Sequence, residues 1–137
     1  MKKPRLLIHC HWYFGLRRAG SERYTHNAVQ FLLERGWEVS YLVAEELAQD
    51  VQTNAAGYWE DQGSRVYFEG PDTDVDQLYQ EHDLVWTHLN FTRKAVNLAK
   101  QHQKPVMCVA HCVGQISQYR LQPEELALIV YNTGWIS

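Results

Sequence analysis

At 137 residues, 45% hydrophobic and 21% charged, the chain is long enough to bury a core and has an ordinary globular balance. A net charge of −3 argues against general nucleic-acid affinity, and the longest apolar runs fall far short of the roughly 18 residues that mark a membrane span. Three cysteines, Cys10, Cys108 and Cys112, are too few and too odd in number for a disulfide framework and fit reduced thiols in the cytosol.

The opening MKKPRLLIHCHW puts basic residues before an apolar stretch, as a secretory signal does. The stretch is short, is broken by His9 and His11, and lacks a small-residue cleavage site, so it reads as the first strand of a cytoplasmic protein. Leu6 to Cys10 is that strand, apolar enough for burial on both faces of a parallel sheet. A loop, Phe14 to Gly20, leads to Ser21, a good N-cap, and to Glu22, which suits the positive end of a helix dipole. Helical periodicity runs from Glu22 to Arg35. Tyr24, Ala28, Val29, Phe31, Leu32 and Leu33 form a broad apolar face, with His26, Asn27, Gln30 and Glu34 opposite. Gly36 stands where a helix C-terminal glycine belongs, and Val39 to Val43 is the second strand.

Residues 45–63 read as a weak helix followed by a loop. Arg65–Glu69 is a short strand, Gly70-Pro71-Asp72 a turn, and Asp72 or Thr73 caps a short helix to about Gln80. Asp83–His88 is a strand, Thr92–His102 a helix ended by Lys104-Pro105, and Val106–Ala110 a buried strand. Residues 112–125 read as irregular or partly helical before the last strand, Leu126–Tyr131. This alternation predicts an α/β fold: a Rossmann-like, doubly wound parallel sheet of about six strands with helices on both faces, in a single domain. Such sheets bind ligands outside the carboxyl ends of their strands, near the point where strand order reverses.

That edge collects polar residues. The strands end at His11-Trp12-Tyr13, Glu45-Glu46, His88-Leu89-Asn90, His111-Cys112 and Asn132-Thr133. Such residues cap exposed strand ends or bind ligands, and both readings stay open for each one. Charge is uneven as well: residues 1–40 carry seven Lys/Arg against three Glu, while the remainder is acidic. The basic excess, with Arg17 and Arg18, falls on the loop and helix start, where an anion would bind. The loop Gly15-Leu16-Arg17-Arg18-Ala19-Gly20-Ser21-Glu22 lacks the Lys-Ser/Thr of a P-loop and the G-x-G-x-x-G of a dinucleotide fingerprint. His9 and His11 share a face of their strand and Cys10 does not, and no tight ligand spacing supports a metal site, so none is expected.

Further motifs fall in order along the chain. Ala19-Gly20-Ser21-Glu22 is followed by a helix, by Arg35-Gly36-Trp37-Glu38-Val39, by Asp83-Leu84-Val85-Trp86-Thr87-His88, by Val109-Ala110-His111 and by Leu128-Ile129-Val130-Tyr131-Asn132-Thr133-Gly134. Taken together they resemble the N-terminal domain of GT-B glycosyltransferases, above all the retaining group that uses nucleotide-sugar donors. The chain departs from that pattern at Ala19, where the family has a glycine, and at Trp37, where it often has histidine.

The resemblance implies that residues 1–137 form the acceptor-side half of a GT-B architecture. The donor-binding C-terminal domain, with its Glu-x7-Glu element, is expected to lie outside them. It places Gly20 and Ser21 near the donor diphosphate, His111 near the transferred sugar as the catalytic candidate, and His88 on the acceptor side. His11, Asn90, Arg17 and Arg18 join the substrate-binding set from their positions at the same edge. No cofactor is expected beyond the nucleotide-sugar donor substrate. The expected partners are that donor, an acceptor molecule, and a donor-domain subunit or a second copy of the chain. The expected activity is hexosyl transfer, with weak or no nucleotide-sugar binding by the chain alone. The rival expectation is a non-catalytic α/β module that binds an anionic ligand or a protein partner.

Overall fold

Short runs of β-branched and aromatic residues alternate with helical periodicity, and the computed structural model realises them as one sheet flanked by helices. It describes residues 3–10, 13, 20–44, 53–88, 92–110 and 128–131. The elements in chain order are β1 (Arg5–Cys10), α1 (Gly20–Glu34), β2 (Glu38–Val43), β3 (Trp59–Asp61), β4 (Ser64–Phe68), α2 (Val75–Glu81), β5 (Leu84–His88), α3 (Thr92–His102), β6 (Val106–Ala110) and β7 (Leu128–Tyr131). They build a seven-stranded sheet in the order β3-β4-β2-β1-β5-β6-β7. Six strands pair in parallel and β3 alone is antiparallel, so the fold is a Rossmann-like α/β fold with a mostly parallel sheet.

The central strand explains itself. Five of the six residues of β1 are buried, because both faces of a middle strand are covered. Alternation then sorts the core. Leu6, Ile8 and Cys10 join Val29 of α1, Val39, Tyr41, Val43, Val66 and Trp86 on one face. Leu7 joins Leu42, Leu78 and Tyr79 of α2, Val85, and Val96 and Ala99 of α3 on the other. Helices therefore pack against both faces, α1 on one and α2 with α3 on the other. Each fully buried aliphatic side chain in these layers contributes on the order of 2 kcal/mol.

Registers are pinned at the amino edge. Arg5 N–H donates to the Asp83 carboxylate at 3.0 Å, and Asp83 N–H returns a bond to the Arg5 carbonyl at 2.8 Å, locking β1 to the start of β5. The Arg5 guanidinium also donates to the Glu81 carbonyl at 2.8 Å, satisfying the end of α2.

Four local expectations are corrected. The stretch 45–63 contains β3, which forms a two-residue hairpin with β4 through Gln62 and Gly63, both at positive φ. No apolar alternation announces a three-residue edge strand. The first helix begins at Gly20, so Ser21 lies inside its first turn instead of capping it. The second helix is capped by Asp74, whose side chain accepts from Gln77 N–H, while Thr73 donates to the Phe68 carbonyl at 2.6 Å. Phe31 is 53% exposed and, though on the apolar side of α1, is not part of the buried core. It sits about 200° around the helix from Val29, which faces the sheet, and Arg35 stacks over its ring at 3.3 Å from the centroid.

Gly36 follows α1 with a φ of +86°, and a Cβ there would meet nothing within 4 Å. The cost of a side chain is therefore conformational alone. Gly36→Ala should lower stability by about 1 kcal/mol, seen as a lower urea midpoint with an unchanged m-value.

Candidate functional site

The strand order fixes where a crevice opens. From β1 the chain passes through α1 to β2 and β4 on one side, then returns through α2 to β5 on the other. The order reverses between β1 and β5, and the carboxyl ends of these neighbours are the position at which open α/β sheets hold ligands. On the α1 side the crevice has the start of α1 at Gly20; on the opposite face it has the first turn of α3.

Among the described residues, a buried polar cluster lies at this edge, beside β1. His9 is fully buried, next to last in β1, on the face covered by α2 and α3. Its Nδ1 meets the Tyr79 hydroxyl of α2 at 2.6 Å, and its Nε2 meets Oε1 of Glu69, immediately after β4, at 2.7 Å. Lys94, in the first turn of α3, donates to both Glu69 oxygens, at 2.9 and 3.1 Å. The cluster thus joins a central strand, an outer strand and two helices.

Its protonation follows from the partners. The hydrogen bond from His9, reinforced by Lys94, outweighs desolvation and holds the Glu69 carboxyl down at about 2. Glu69 is therefore an acceptor, and His9 Nε2–H donates to it. Burial, followed by the charge of Glu69, pushes the Tyr79 phenol well above its ordinary value, so that hydroxyl keeps its proton and can donate to Nδ1. Tyr79 also packs edge-on to the His9 ring, with centroids 5.6 Å apart.

On the opposite face, His88 ends β5, and its Nε2 lies 3.1 Å from the Thr25 hydroxyl of α1. Thr25 is buried because it lies one turn before Val29 on the sheet-facing side of the helix. This contact ties the carboxyl end of β5 to the helix that starts at Gly20. Nearby, Tyr13 is buried edge-on against Tyr41 and Trp59, and its hydroxyl donates to Asp61 at 2.5 Å. Burial, then the hydrogen bond to Asp61, raises the Tyr13 phenol far above its usual value. The β3–β4 hairpin thereby holds the chain just past β1.

Of the residues singled out in the sequence, Gly20, expected at the end of a loop, opens α1, and His88 stands at the carboxyl end of β5. Ser21 is in the first turn of α1. His11, Arg17, Arg18, Asn90 and His111 lie outside the described residues. The sequence reading did not single out Glu69, Lys94, Tyr79 or Thr25. One available signal was an acid placed directly after a strand, combined with a histidine inside an apolar run, where only a buried partner makes it tolerable. Among the described residues no group of three or more His, Cys, Asp or Glu could hold a metal ion. Nor, among them, is any helix long and apolar enough to cross a membrane.

An apolar groove of about 560 Å³ lies elsewhere, toward the amino ends of β1, β5 and β6 beside α1, lined by Leu6, Tyr24, Phe31, Trp37, Trp86 and Met107 among others.

No protein-family model matches the chain, and no curated protein is significantly similar to it. Among solved structures, a protein of unknown function from Vibrio parahaemolyticus RIMD 2210633 aligns over 94% of this chain and 93% of its own, at 12% identity and a TM-score of 0.33.

Two outcomes follow from the His9 cluster. The Glu69 carboxyl is depressed from an ordinary 4.5 to about 2 in the folded protein. Its contribution to stability is complete above the unfolded value and disappears as pH falls from about 5 toward 2. Glu69→Gln should flatten the acid limb of a stability–pH profile over that interval. His9→Ala leaves the Tyr79 hydroxyl and Glu69 without their shared partner and should cost roughly 2–4 kcal/mol in urea unfolding, whereas Lys94→Met, at a more exposed site, should cost under about 1 kcal/mol.

Proposed function

We propose that the chain is the acceptor-side domain of a glycosyltransferase that moves a sugar from a nucleotide-sugar donor, and that a second, donor-binding domain completes it. In this reading the sheet is a doubly wound half of a GT-B architecture and the protein is cytosolic, where buried cysteines such as Cys10 and Cys108, neither in a disulfide, stay reduced. The observation that carries the reading is the reversal of strand order between β1 and β5, with α1 starting at Gly20 on one side and His88, bonded to Thr25, on the other. The ordered motifs of the sequence supply the reaction class. Gly20 and Ser21, with Arg17 and Arg18, would approach the donor diphosphate through helix-start N–H groups and positive charge. His11, His88 and Asn90 would line the acceptor side, and His111 would stand by the transferred sugar. No protein nucleophile is assigned.

A second reading, a non-catalytic module for an anionic ligand, draws on the basic excess of residues 1–40.

The expected behaviour of the chain alone is weak binding of UDP-glucose or GDP-mannose, with a Kd of about 1 mM or above, and no transfer. Joined to a donor-binding Rossmann-like domain it should support transfer, and His88→Ala should reduce that transfer by about tenfold or more. Robust transfer by the isolated chain would overturn the division between two domains. Tight nucleotide or phosphate binding without transfer in any pairing would favour the non-catalytic module.

A further inference from the structure

The cluster around His9 is costly to keep and its core cannot touch a ligand. A leucine at position 9 would continue the apolar run of β1, and well-packed apolar residues often replace buried charged groups without loss of stability. Both ring nitrogens of His9 are already engaged, by Tyr79 and by Glu69. The imidazole therefore acts through Glu69, as a positioning residue. Glu69 carries that order outward: its side chain is 17% exposed, and Lys94, bridging both of its oxygens, is 55% exposed. An ion pair this exposed contributes little to stability by itself.

We propose that the Glu69–Lys94 pair, oriented by His9 and Tyr79, is the contact point for a neutral polyhydroxyl ligand, the carbohydrate acceptor of the site proposed above, on whose placement at this edge the inference rests. The chemistry is that of the pair. A carboxylate accepts from hydroxyl groups and an ammonium donates to hydroxyl oxygens, so adjacent hydroxyls on a sugar ring find one partner of each kind. The pair is neutral overall, which removes the reward for binding a net charge. The ionised Glu69 carboxylate, with Oε1 held by His9 and both oxygens bridged by Lys94, repels phosphate. Holding Glu69 from behind through His9, with Tyr79 fixing the imidazole, means that the carboxylate is ordered before the ligand arrives. Less entropy is then lost on binding.

The test is calorimetric titration of the full chain with a panel of neutral sugars and cyclitols: glucose, mannose, galactose, N-acetylglucosamine and myo-inositol. Inorganic phosphate serves as the contrasting anion. At least one neutral ligand should bind, Glu69→Gln and Lys94→Met should each weaken it about tenfold, the scale of one charge-assisted hydrogen bond, and phosphate should not compete. If Glu69→Gln fails to fold, the exposed Lys94→Met carries the test. The inference is overturned if no member of the panel binds, if Lys94→Met binds like the unchanged chain, or if phosphate binds in a manner that depends on Lys94. The transfer assay separates this inference from the transferase reading. Sugar binding that depends on the pair, with no transfer in any donor-domain pairing, sinks the transferase and supports the subsite. Transfer that is indifferent to Lys94→Met sinks the subsite and leaves the transferase.

Discussion

A buried imidazole imposes a strict condition: each ring nitrogen must find a partner inside the protein, because water cannot reach it. His9, with no exposed surface in the middle strand of the sheet, meets that condition with Tyr79 and Glu69. Those two residues come from α2 and from the end of β4, and Lys94 on α3 completes the set. The condition therefore requires α2, α3 and β4 to converge over the carboxyl half of β1. The apolar layer beneath, Leu7, Leu42, Leu78, Val85, Val96 and Ala99, supplies the energy of that packing, and the polar cluster supplies its register. On the opposite face Thr25 and His88 play the smaller, matching part, tying α1 to the end of β5.

Much of this architecture was legible in the sequence, for a physical reason. Strands buried on both faces must be apolar almost without interruption, so β1, β2, β5 and β6 declare themselves as short apolar runs, β4 shows an alternating buried and exposed pattern, and amphipathic periodicity marks α1 and α3 between them. What was not legible depends on neighbours that are distant in the chain. The strand β3 has only Trp59, Glu60 and Asp61, half-exposed at an edge, and no local pattern distinguishes it from a loop. Phe31 looked like core because it is apolar, yet the width of the face α1 buries is set by the sheet below it. Thr25, polar and not singled out in the sequence, is buried for the same reason. Of the edge residues, His88 followed from the end of its strand, whereas Gly20, read as the last residue of a loop, opens α1. Glu69 and Lys94 lie 25 residues apart and meet only because β4 and α3 fold to the same place.

The two sides of the crevice differ in chemistry. The sequence before α1 is basic, with Arg17 and Arg18, and a helix start with positive charge beside it is a setting for phosphate. Toward α3 stands an ionised carboxylate paired with an ammonium, a setting for hydroxyl groups. Under the proposed function, one ligand carrying both a diphosphate and a sugar, or two ligands meeting between them, would match that division. The fold alone selects neither, since sheets of this kind serve many reactions; the argument rests on the residues at the edge.

The central claim is that ligands meet the protein at the carboxyl edge where β1 adjoins β5. Backbone amide chemical shifts of the full chain, followed by nuclear magnetic resonance during titration with UDP-glucose, test it directly, since they register even weak binding and locate it. The account predicts that the described amides most perturbed are those of Gly20 to Thr25, Glu69, His88 and Lys94. Perturbations confined to the amino edge, at Arg5, Trp37 and Asp83, or spread evenly over the sheet would contradict it.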